Sequence, residues 1–154
     1  MTTDIVGYFG KLATATLAGL FLTTSAQALD RIRIHVEGND GDLEDAIVSA
    51  SLVVAAKTEG RTEADNVFAS ALSDYARLLD VLYAEGYYGG VINIYVDGRE
   101  AAATPLLRAP DRITEVAINV RPGRPFRFGD ARIGPLAPGT EIPEGFAPGQ
   151  PARA

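Results

Sequence analysis

The chain has 154 residues with one His, no Cys and a formal net charge of -6. With no thiol it can hold neither a disulfide framework nor a thiolate site, so its core must rest on packing alone. From Leu29 to Leu107 six Arg/Lys stand against fourteen Asp/Glu, and from Arg108 to Ala154 seven stand against five. Nothing here forms the concentrated basic stripe that nucleic acid or anionic lipid requires.

The N-terminal stretch is apolar from Leu12 to Leu22, begins just after Lys11, and is followed by Ala26-Gln27-Ala28. That layout is a secretory signal peptide with cleavage after Ala28. An uncleaved anchor is the alternative, but Thr14, Thr16, Thr23, Thr24, Ser25 and Gln27 interrupt the roughly 20 apolar residues that a spanning helix needs. The expected organisation is therefore a signal peptide over 1–28, one domain over 29–123, and a final segment over 124–154.

In RIRIHVEG, Ile32, Ile34 and Val36 alternate with Arg31, Arg33, His35 and Glu37, which predicts a half-buried strand with one wet face. GNDGDLED ends it. Its acids lack the alternating ligands, glycine and distal glutamate of a calcium loop, and turn chemistry with Asp42 as a helix cap accounts for them. Leu43, Ile47, Ala50 and Val54 then recur at helical spacing and predict one short helix reaching about Lys57. A longer helix is predicted from Thr62, with Asp65 in capping-box position and a stripe of Phe68, Ala71, Leu72, Tyr75, Leu78, Leu79, Leu82 and Tyr83. Gly86 should stop it as a left-handed cap.

Two more strands follow. VINIYVDG sets Ile92, Ile94 and Val96 against Val91, Asn93, Tyr95 and Asp97, and ITEVAINV places Val116, Ile118 and Val120 on one face. The order is strand, helix, helix, strand, strand, and two helices on one face of a small three-stranded sheet is the simplest α+β packing of it. RPFRFGDARIGPL, from Arg124, reads as a further strand, Phe126 to Ile133, before a tail carrying Pro135, Pro138, Pro143, Pro148 and Pro151. Such a tail should be poorly ordered without partners; alternatively the strand folds back and caps the first domain's sheet.

This order, together with LYAEGYYGGVINIYVDG (Leu82 to Gly98) and VRPGRPFRFGDARIGPL (Val120 to Leu136), resembles the polypeptide-transport-associated (POTRA) domain of outer-membrane assembly proteins. The likeness is nearest to the TamA-type autotransporter assembly factors. Those have a long helix ending in Gly-Tyr, here Gly86-Tyr87, and a Pro-Gly turn leading to a basic, aromatic strand that ends in Phe-Gly, here Phe128-Gly129. The resemblance implies that 29–123 is a POTRA-like unit and that 124–154 opens a second, incomplete one. Family members continue into a membrane-embedded barrel, and none of its alternating ten-residue strands follow here.

The resemblance implies periplasmic binding without bond chemistry, with outer-membrane association through a barrel that this chain lacks. The implied partners are unfolded outer-membrane or autotransporter proteins and an inner-membrane partner of the TamB type. No cofactor or metal is implied. A sheet edge can accept an extended peptide as an added strand, and the expected edge is Val91, Asn93, Tyr95 and Asp97. Aromatics with polar tips favour interfaces, which makes Tyr88 the expected docking residue, while Tyr83 and Tyr87 read as packing or helix-end anchors.

The residues offer little to an enzyme. His35 lies on a strand's polar face without a second His, Ser49, Ser51, Ser70 and Ser73 lie on predicted helices without an elbow, and GYYGG lacks the G-x-G-x-x-G spacing. A stand-alone interaction domain, such as that of a cell-division protein, is the other binding class the residues allow. A small periplasmic enzyme is the least supported reading.

Overall fold

In the computed structural model, alternation and helical spacing become seven main elements. It describes residues 29–38, 41–130, 134–135, 137–141 and 143–153. Strand β1 is Arg31–Val36, helices α1, α2 and α3 are Gly41–Ala50, Leu52–Thr58 and Ala64–Ala84, strands β2 and β3 are Val91–Val96 and Arg99–Glu100, and β4 is Glu115–Arg121. The expected signal peptide at 1–28 lies outside the described residues.

The fold is α+β, with a mixed sheet in the order β1-β4-β2-β3. Strand β4 runs parallel to β1, from Arg31 opposite Glu115 to Val36 opposite Val120, and antiparallel to β2, from Val91 opposite Arg121 to Val96 opposite Val116. Asp97 (φ 45) and Gly98 (φ 81) form the two-residue turn from β2 to β3, a pair suited to the left-handed positions of a tight hairpin. The fourth strand was not expected. At two residues, β3 is too short for any hydrophobic period, and only its pairing with Tyr95 and Val96 reveals it.

The helices cover one face of the sheet. Ile94, Val96, Val116, Ile118 and Val120 are buried there beneath Leu43 and Ile47 of α1, Val53 of α2, and Val67, Phe68, Leu78 and Leu82 of α3. Burying each large side chain of this kind is worth about 1.5–3 kcal/mol relative to exposure. The alternate strand residues, Arg31, Arg33, His35, Asn93, Tyr95, Asn119 and Arg121, form an uncovered, largely polar face.

The expected first helix is in fact two. Ser51 adopts an extended backbone (ψ 123) and caps α2, accepting from Val54 N–H at 3.3 Å. The carboxylate of Asp74, fully buried on α3, accepts from Ser51 Oγ at 2.7 Å, Leu52 N–H at 2.6 Å and Val53 N–H at 3.3 Å. A side chain from another helix thus satisfies the orphan donors of the first turn of α2. The apolar period runs through the break without a mark.

The other helix boundaries shift slightly. Asp42 sits in the first turn of α1, not at its cap. Helix α3 begins at Ala64, two residues inside the expected Thr62 start, and its cap residue Glu63 makes no capping side-chain bond. Gly86 does take the left-handed conformation at the end of α3 (φ 86), with Tyr87 N–H bonded to Leu82 O at 2.7 Å.

Within 124–154, the described residues fold back on the end of α3. Phe126 N–H bonds Gly86 O at 2.8 Å, and Phe126 and Phe128 exchange backbone bonds with residues 149–152. Arg153 reaches Glu85 at 3.3 Å. Residues 131–133 of the expected further strand lie outside the described residues.

Candidate protein-binding edges

Whether a strand can accept another depends on where its backbone groups point, and the register decides this for β2. Asp97 N–H bonds Glu115 O at 3.0 Å. Antiparallel pairing alternates every second residue, so the backbone groups of Tyr95, Asn93 and Val91 also point to β4, opposite Ala117, Asn119 and Arg121. The four residues expected to form a free edge therefore turn their donors inward. Their side chains line the uncovered sheet face, except that the Asp97 carboxylate caps Thr114 N–H (3.1 Å) and Glu115 N–H (2.8 Å) at the start of β4.

The outward groups of β2 belong to Ile92, Ile94 and Val96. Val96 pairs with Arg99 of β3. Ile94 N–H donates to Tyr75 Oη at 3.2 Å and to Glu100 at 3.3 Å, and Tyr75 Oη donates to Glu100. Burial, helped by the Glu100 carboxylate, pushes the Tyr75 phenol up to about 12. It stays protonated and serves as a latch over this edge. Ile92 has no outward partner among the described residues.

Among the described residues, the opposite edge is uncovered. In β1, Arg31 N–H bonds Thr114 O at 3.1 Å and Glu37 N–H bonds Val120 O at 2.8 Å, so the odd-numbered residues face β4. The N–H and C=O groups of Ile32, Ile34 and Val36 face outward, and no described residue pairs with them. At the start of the row Lys57 Nζ donates to Asp30 O at 2.6 Å. Arg31 and Arg33 lie along it on the uncovered face, both bridged to Glu115.

No family model, curated protein or solved structure matches this chain. Its surfaces and its sequence alone carry a functional reading.

Tyr88 is where the sequence placed it, at the surface and 41% exposed. Its ring stacks on Tyr83 with centroids 5.3 Å apart and meets the edge of Phe126 at 5.6 Å. Phe126 is itself 52% exposed, so the C-terminal segment completes an aromatic patch at the end of α3. His35 is exposed on the sheet face beside Asn119. Arg99 and Arg108, with Thr104, Phe68 and Val96, line a separate cavity of about 270 Å³.

Sequence reasoning missed the β1 edge because alternation reports which side chains share a face. It does not report which strands are neighbours. A signal existed in the lone N-terminal strand, since a strand placed next to the parallel β4 has no hairpin partner to cover its other side. Asp74 was missed because one acid on a helix reads as solvated surface.

Proposed function

We propose that the chain is a non-catalytic protein-binding module of the POTRA kind, exported to the periplasm, which takes part in outer-membrane protein or autotransporter assembly by accepting an extended segment as an added strand. The single observation that carries this reading is the β1 row of Ile32, Ile34 and Val36, which no described residue covers, while the other edge is latched at Ile94 and Val96. Main-chain bonds to such an edge tolerate many client sequences, and neighbouring side chains supply preference. The half-buried Ile32 and Ile34 would receive apolar client residues on the helix side, while Arg33 and His35 would meet polar ones on the open face. The POTRA-like order of strands and helices, the junction residues from Leu82 to Gly98 and the leader-like N-terminus support the assignment to export and assembly.

Binding of a labelled outer-membrane strand peptide tests it. Ile34→Pro removes an outward N–H and places the ring where the added strand would lie, without taking a donor from the β4 ladder. Binding should fall at least about tenfold while the circular-dichroism melt persists. Methylation of alternate peptide amides should weaken binding similarly. Undiminished capture by a folded Ile34→Pro variant would overturn strand addition at β1.

A further inference from the structure

The β1 edge matches a second copy of itself, and we infer that its resting occupant is the β1 strand of another chain, paired antiparallel about Ile34. This inference rests on the reading of β1 as a strand-accepting edge and names its partner when no client is present.

The outward groups of Ile32, Ile34 and Val36 allow hydrogen-bonded pairs only between these residues and their equivalents. Centred on Ile34, the pairing sets Ile34 opposite Ile34 of the second copy, and Ile32 opposite Val36 of the second copy at both ends. Those pairs would make about six backbone bonds. On the open face the close, non-hydrogen-bonded pairs are Arg31 opposite Glu37 of the second copy and Arg33 opposite His35 of the second copy. Opposite charges placed directly across from one another favour the pairing, and like charges oppose it. Glu37 is exposed and makes no ion pair with a described residue. Arg31 is 65% exposed.

Other registers do worse. A slip by one residue sets the open face of one copy against the helix face of the other. Centring on Arg33 puts two guanidiniums face to face, and centring on His35 shortens the hydrogen-bonded row. The arrangement about Ile34 is two-fold symmetric, so it closes at a dimer and does not propagate. It also accounts for one edge being latched by Tyr75 and Glu100 while the other is open: the open edge is covered by its own kind until a client displaces it.

The test is the mass of the purified, exported chain in solution, with charge variants. The parent should be a dimer, and Glu37→Arg should weaken dimerisation by about tenfold or more, since it sets Arg against Arg at both ends. Arg31→Glu should do the same. An equimolar mixture of the two variants should form a heterodimer, because both pairs of residues 31 and 37 are then opposite in charge. In a chain without Cys, Ile34→Cys should cross-link two copies on mild oxidation, since paired Cα atoms about 5.5 Å apart lie within disulfide reach. A monomeric parent, a dimer indifferent to both charge variants, or no cross-link from a folded Ile34→Cys chain would overturn the inference. A monomer that still binds the strand peptide through β1 would sink the dimer and leave the proposed function standing. A β1 dimer that no strand peptide displaces would do the reverse.

Discussion

Replacing Asp74 by Ala should be among the most damaging single changes outside the apolar core. The carboxylate is fully buried and accepts from Ser51 Oγ, Leu52 N–H and Val53 N–H. Hydrogen bonds to charged acceptors contribute about 1.5–3 kcal/mol each, and a stranded buried donor costs about 1–3 kcal/mol. The three bonds share one carboxylate and so do not add fully, which sets the expected loss at about 3–5 kcal/mol. Against a typical domain stability of about 5–15 kcal/mol, that is a large fraction. Ser51→Ala removes one of the bonds and the cap on Val54, at about 1–2 kcal/mol. Urea unfolding followed by far-UV circular dichroism should show a lower midpoint at an unchanged slope. The double variant should lose less than the sum of the single ones by about 1 kcal/mol, since both remove the same bond. An Asp74→Ala chain within about 1 kcal/mol of the parent would refute the idea that this carboxylate holds the start of α2.

Tyr75 should ionise near pH 12, later than an ordinary tyrosine. Because the folded state holds that proton more tightly, its contribution to stability is full below about pH 10 and fades as pH rises through about 12; phenolate absorbance and melts should show both effects, and Tyr75→Phe should flatten the decline. Gly90→Ala should destabilise by about 1–3 kcal/mol, because the new Cβ would lie 2.4 Å from Cδ1 of the buried Leu82; an unshifted melt would mean that Leu82 moves freely. Truncation after Gly123 should leave a cooperative transition with a loss of only about 1–2 kcal/mol, since among the described residues the core cluster contains none beyond Val120; loss of the transition would make the C-terminal segment integral to the domain.

The three longer strands and the long helix were legible because each carries its own period: two in Ile32-Ile34-Val36, between three and four in Phe68-Ala71-Leu72-Tyr75. What escaped depends on partners distant in sequence. Ser51 breaks a helix because Asp74, 23 residues away, holds its donors. Glu100 makes a strand only beside Tyr95. The candidate site divided in the same way. Tyr88 was recognisable as a surface aromatic from its place after the helix stop. The free edge was not, since strand order is set by how the chain crosses the sheet, and β4 enters between β1 and β2.

That crossing has a kinetic consequence. Among the described strands β1 hydrogen-bonds to β4 alone, and Arg31 meets Glu115 across 84 residues of chain. Closing a loop of this length before any reward from pairing costs several kcal/mol, roughly (3/2)RT ln n plus a constant. Proteins ruled by such distant contacts fold slowly. As the chain is made from its N-terminus, β1 emerges first and must wait for Arg121 before its ladder can form. During that wait both of its edges are open, and its alternating isoleucines are available to any extended neighbour. A nascent chain in this state is still threadable through a narrow channel, and it is also the form most in need of a holding chaperone.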